Sequence, residues 1–113
     1  MATTSELQKA EWQQYFDRIA RGLVGKRAEI DVESLEIGSQ VEAEWLTLLG
    51  ISYEPREDIL SVMLEGLNHL IRRPVSVFVD VEFGQLVSLA VTDNDKVRHI
   101  IKLRSALSLP GAG

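Results

Sequence analysis

The sequence predicts an α+β, mainly β domain: an N-terminal amphipathic helix followed by an antiparallel β-meander of six or seven strands, curled or closed as a small barrel. Three observations predict it. Apolar side chains near the start recur at three- and four-residue spacing, the period of one helix face. From residue 26 onward, apolar and polar residues alternate with period two, the rhythm of strands with one buried face. Short connections rich in Gly, Pro, Asn and Asp separate the alternating runs, and closing the sheet would remove exposed strand edges.

Residues 1–4 read as a frayed end. Ser5-Glu6-Leu7-Gln8 has the Ser-x-x-Gln form of a capping box, which predicts a helix running to about Leu23. Its apolar seam is Trp12, Tyr15, Phe16, Ile19 and Leu23. Gly25 is the expected left-handed stop. Residues 26–33 then alternate, with Ala28, Ile30 and Val32 inward and Arg27, Glu29, Asp31 and Glu33 outward. Residues 40–45 alternate again, with Val41, Ala43 and Trp45 inward, so Trp45→Ala is expected to cost about 3–5 kcal/mol. At Leu46-Thr47-Leu48-Leu49 the rhythm breaks, and a bulge, a sharp bend or burial on both faces would explain it.

Ile51-Ser52-Tyr53 and residues 59–64 flank a turn carrying Pro55 and Asp58, a hairpin pattern. Leu64, Leu67, Leu70 and Ile71 have helical spacing before Pro74, so residues 65–73 are expected to form one or two helical turns, with a loop as the competing assignment. Residues 75–81 place valine at every odd position, and Phe83-Gly84-Gln85 makes a tight connection. Val87, Leu89 and Val91 share one strand face. Asp93-Asn94-Asp95-Lys96 is a turn signal because Asn and Asp tolerate left-handed geometry. On the last strand Val97, His99, Ile101 and Leu103 alternate with Arg98, Ile100, Lys102 and Arg104. Residues 105–113 read as a mobile tail. No repeat or linker divides the chain, so residues 1–113 are expected to form one domain.

The 113 residues carry 12 basic and 17 acidic side chains, a formal charge of −5, which disfavours non-specific binding to phosphate backbones. The chain has no cysteine, which excludes disulfides and thiolate metal sites. No apolar run reaches the length of a bilayer span, and residues 1–20 lack the apolar core of a secretory signal. The expected compartment is the cytoplasm.

Gly25-Lys26-Arg27-Ala28-Glu29-Ile30, Glu42-Ala43-Glu44-Trp45-Leu46 and Leu64-Glu65-Gly66-Leu67-Asn68-His69-Leu70-Ile71-Arg72-Arg73-Pro74 resemble a bacterial family of short uncharacterised proteins, known as a domain of unknown function. The resemblance runs from Trp12 to about Leu109. Tyr53-Glu54-Pro55-Arg56-Glu57-Asp58-Ile59-Leu60-Ser61-Val62 is similar to the opening motif of other small, mostly β proteins of unknown function. Neither resemblance implies an activity, a cofactor or a catalytic residue. Both imply a small single-domain bacterial protein.

The residues themselves assemble no catalytic constellation. The two histidines, His69 and His99, have no metal-ligand spacing around them. His99 reads as a half-buried strand residue with one satisfied nitrogen. Asp80 with Glu82, and Glu42 with Glu44, share strand faces, the pattern of solvated surfaces. Ser61 and Ser88 lie within strands, away from any strand-to-helix elbow. No cofactor or metal is expected. Whether the chain is an enzyme stays open, with the balance toward a non-enzyme. A third reading, an enzyme acting on a small molecule between helix and sheet, would show a deep pocket holding His69 or His99 with carboxylates in reach. Lys96, Arg98, Lys102 and Arg104 form a basic stripe, which His69, Arg72 and Arg73 would extend if the fold brought them near. Such a stripe suits RNA or an acidic ligand, or a charged edge strand that resists aggregation. Strands with Phe78, Ala90 and Ile100 present two apolar faces, and one helix covers only one of them. The expectation is therefore a self-associating interaction module, a homo-oligomer, with the RNA- or acidic-ligand-binding barrel as the alternative.

Overall fold

The computed structural model describes residues 2–108, with side chains from residue 3 to residue 104. Eight strands form one antiparallel sheet: β1 (Ala2–Leu7), β2 (Arg27–Ser34), β3 (Gly38–Glu54), β4 (Ile59–Leu64), β5 (Leu67–Arg72), β6 (Pro74–Glu82), β7 (Gln85–Asp93) and β8 (Arg98–Ser108). A 3₁₀ turn (Lys9–Glu11) leads into α1 (Trp12–Leu23), the single α-helix among the described residues. The spatial order is β1-β6-β7-β8-β2-β3-β4-β5.

The mainly β class is as the alternation predicts, and the finer topology differs. The described residues form eight strands rather than six or seven. β2 sits beside β8, and β1 beside β6, so the order is not a meander. The sheet ends at two edges, β1 and β5, so it is not closed into a barrel.

Helix α1 buries Trp12, Phe16, Ile19 and Leu23, the seam that its spacing predicts, and packs on β3. The Trp12 and Tyr53 rings meet edge to face, 5.2 Å between centroids, a favoured aromatic geometry. The helix stops at Gly25, with φ of 91°, a region that glycine enters without steric cost. The Gly25 and Leu48 amides donate to Leu48 O and Lys26 O at 2.9 and 2.7 Å, fixing the helix exit onto β3.

The capping box does not form. Ser5 pairs with Val79 inside β1, and Gln8 makes no side-chain cap bond. The backbone of residues 2–7 pairs with β6 instead, so residues 2–4, expected to fray, begin an edge strand. Trp12 Nε1 donates to Leu7 O at 3.0 Å and ties β1 to the helix. Residues 105–108 continue the backbone of β8; the rest of the expected tail lies outside the described residues.

Bulges decide the facing of β3. Ile30 pairs with Ala43 but Asp31 with Val41, which leaves Glu42 over. Ala28 pairs with Leu46, so Glu44 and Trp45 oppose Glu29 alone. A one-residue insertion reverses side-chain parity. Val41, expected inward, therefore faces outward and is 58% exposed. Trp45, expected in the core, is only half-buried and sits at φ 52°. Leu49 is a third extra residue, between the Leu48–Leu64 and Gly50–Met63 pairs; this is the break seen in the sequence rhythm. In the same way Val75 and Val87 fall out of register on β6 and β7.

Residues 65–73 are not helical. Glu65 and Gly66 make a two-residue hairpin turn, Gly66 at φ 83°, and β5 pairs with β4 from Leu64–Leu67 to Ile59–Arg72. The inward face of the sheet and α1 share one core, including Phe16, Ile30, Leu60, Val77, Leu89 and Ile101.

Candidate functional site: an outer sheet face and a buried histidine chain

The outer face is built by register. Glu6, Phe78, Ala90, Ile100, Asp31 and Val41 stand opposite one another in turn across β1, β6, β7, β8, β2 and β3. Phe78 is 38% exposed, and Ala90 and Ile100 are half-buried. A polar row runs beside this apolar one. The Thr4 and Ser88 hydroxyls donate to the two oxygens of Asp80, the second at 3.0 Å. Thr4, Phe78, Asp80, Ala90, Thr92 and Arg98 line a shallow groove of about 310 Å³.

The basic stripe lies on this face, matched by the carboxylates of β2. Arg98 Nη1 stands 3.7 Å from Glu33 Oε1. Lys102 Nζ stands 2.7 Å from Asp31 Oδ2 and 3.5 Å from Glu29 Oε2. The Asp31 hydrogen bond holds the Lys102 ammonium above its ordinary value; burial opposes it, and the charge of Asp31 and the hydrogen bond and charge of Glu29 add to it. Pairs this exposed contribute little stability, about 0–1 kcal/mol each. Asp31 is 9% exposed, and its Oδ1 is buried without a hydrogen-bond partner among the described residues. The Arg104 guanidinium lies over the Trp45 ring, 5.9 Å from its centroid, within cation–π range.

His69, Arg72 and Arg73 do not extend the stripe as a single surface. Arg72 is exposed on β5. Arg73 forms the β5–β6 corner at φ 51°; its amide donates to Asp58 O at 2.8 Å and its carbonyl accepts from Asn94 N at 2.9 Å. His69 turns to the inner side and meets His99, whose strand neighbours Arg98 and Ile100 face the other way.

This meeting makes a second feature. His69 Nε2 is 2.9 Å from His99 Nδ1, and His99 Nε2 is 3.0 Å from Asp93 Oδ2. Burial pushes the His69 imidazole below its ordinary value, and His99 pushes the same way, while Glu42 partly offsets both. Burial pushes the Asp93 carboxyl up, but hydrogen bonds from His99, Val97 and Asp95 outweigh it, so Asp93 is held below the ordinary carboxylate value. Alternation placed His99 inward correctly. Neither its partner Asp93, read as a turn residue, nor its pairing with His69 had a local signal. Among the described residues no cluster of three or more His, Asp or Glu side chains is arranged to hold a metal ion, and no helix is long and apolar enough to cross a membrane.

Fold and site together define a small, mainly β protein with an open sheet and a helix in its core. The chain belongs to a family of unknown function, DUF5335, whose model matches residues 3–112. It is similar to an uncharacterized protein of Aquifex aeolicus (strain VF5), 34% identical over 108 residues, which covers 95% of this chain and 97% of that protein. The bacterial family resemblance is thus shown, and it brings no activity with it. No solved structure matches the chain.

Proposed function

We propose that this protein is a non-enzymatic interaction module that self-associates through the outer face of β6-β7-β8-β2-β3. The observation that carries the reading is the row Phe78, Ala90, Ile100, Asp31 and Val41, apolar at four of its five strands, on the side that α1 leaves uncovered. Five strands span about 24 Å, enough for a small interface of the roughly 800 Å² per partner that stable pairs bury. The occupant is a second copy. Charges of both signs alternate across β8 and β2, Arg98 with Glu33 and Lys102 with Glu29, so a two-fold contact sets each sign against its opposite.

Light scattering from about 1 to about 100 μM, the range suited to a small interface, tests this. Mass should rise with concentration, and Ile100→Glu should hold the chain as a monomer with its fold intact. A wild-type chain that is monomeric throughout overturns the proposal.

A second reading, an acidic-ligand or RNA site, is favoured only by the Arg104–Trp45 stack, a cation and ring of the kind on which bases stack. Salt-dependent binding of single-stranded RNA, lost in Arg104→Ala, is its signature.

A further inference from the structure

The geometry of His69, His99 and Asp93 fixes where their protons sit. Asp93 Oδ1 accepts the amides of Asp95 and Val97 at 2.9 and 3.0 Å, which holds the carboxylate still and leaves Oδ2 for His99. His99 Nε2 then carries the proton and donates. Its Nδ1 becomes the acceptor, and His69 Nε2 donates to it. With both rings neutral the chain is complete.

One further proton fits. On His69 Nδ1 it leaves both bonds intact. On His99 Nδ1 it is accommodated when His69 reverses its tautomer and accepts. A second further proton does not fit, because every ring nitrogen then carries hydrogen and two donors face each other. Two cations also repel in a setting that screens poorly.

We propose that the His69–His99 bond is a one-proton latch, holding edge strand β5 to β8 until the pair takes up a second proton and releases β5. The position suits a latch. The ladder of β5 runs only to β4, and β4, β3 and β2 separate it from β8 in the sheet. This bond therefore spans the curl rather than repeating a ladder contact. The elements around the pair supply no further charge. Val62 of β4 stands opposite His69, and Val32 of β2 and Val91 of β7 flank His99, all three buried. The carboxylates that act on the rings are Asp93 at the end of β7 and Glu42 of β3. Glu42 is exposed, so its charge is screened. Arg98 and Glu33 pair with each other on the opposite face. Neither carboxylate removes the clash of donors.

Hydrogen exchange of the β5 amides, residues 67–72, followed from about pH 7.5 to about pH 5 across the histidine range, tests the latch. Referred to the intrinsic rate at each pH, exchange in β5 should rise by up to about tenfold per pH unit as pH falls from about 6.5 toward the second step, where opening takes up one proton, and should level off below it. Amides of β6 and β7 should not follow. His69→Gln keeps an N–H donor and cannot titrate, so it should flatten the rise. A β5 profile shared by wild type and His69→Gln overturns the proposal. If that variant fails to fold, ring NMR titration of the wild type decides. Ring signals that change in two separated steps support the latch, and ring signals that change in one shared step overturn it.

Discussion

Trp45 gives the sharpest test of the backbone reading. It sits in the left-handed region at φ 52°, pinned by the Ala28–Leu46 and Ile30–Ala43 pairs on either side of its bulge. A non-glycine residue there costs about 1–2 kcal/mol, and only glycine escapes. Glycine in turn loses about 0.5–1 kcal/mol more chain entropy on folding than alanine does. Both Trp45→Ala and Trp45→Gly lose the same half-buried ring and the same contact with Arg104. Their difference therefore isolates the backbone, and glycine should be the more stable by about 0.5–1 kcal/mol. In an ordinary strand the order is the reverse. For a chain of this size that is about 2–4 °C in Tm, readable by calorimetry of the two variants side by side. Trp45→Ala itself should fall below the roughly 3–5 kcal/mol of a fully buried tryptophan. An alanine variant at least as stable as the glycine one would refute the left-handed assignment and the bulge with it.

Other outcomes follow from the core and its titrating groups. Phe16 is fully buried, so Phe16→Ala should cost about 3–5 kcal/mol, measured by urea denaturation. The Tyr53 hydroxyl donates to Asp58 Oδ1 at 2.5 Å, and burial, then that bond and the nearby carboxylates, push its pKa up to about 12. Its stabilising contribution is therefore complete below about pH 10 and lost as pH rises through about 12; ultraviolet titration of the wild type should show a phenol step near 12 that Tyr53→Phe lacks. His69 shifts the other way. The unfolded chain binds its proton first, so stability is complete above about pH 6.5 and falls as pH drops through the lower folded value. Thermal melts of wild type and His69→Gln between about pH 7.5 and 5 should converge at the acid end.

The parts of the fold legible in the sequence are those where periodicity meets no bulge. Ala28, Ile30 and Val32 face inward as alternation requires, and so do Ile101 and Leu103. The helix seam was legible for the same reason. Val41, Trp45, Val75 and Val87 misled because one inserted residue reverses every side chain beyond it, and nothing in the local composition announces the insertion. Leu64, Leu67, Leu70 and Ile71 fit a helix by spacing, yet Glu65-Gly66 is a two-residue hairpin turn that places Leu64 opposite Leu67. β1 was missed because Thr3, Thr4, Ser5 and Glu6 are exposed; it is specified by a neighbour 70 or more positions away, not by its own pattern. The site shares that limit. The basic side chains of β8 were legible, but their partners on β2, and the approach of His69 to His99, depend on strand order.

Methyl NMR on dilution tests the outer-face contact most directly. From about 1 mM to about 10 μM, a span that brackets a weak interface, the methyl signals of Val41 and Ile100 should shift with concentration, and those of the buried Ile30 and Val77 should not. Spectra that do not change on dilution, or changes confined to Leu49 and Met63 elsewhere on the surface, would contradict it.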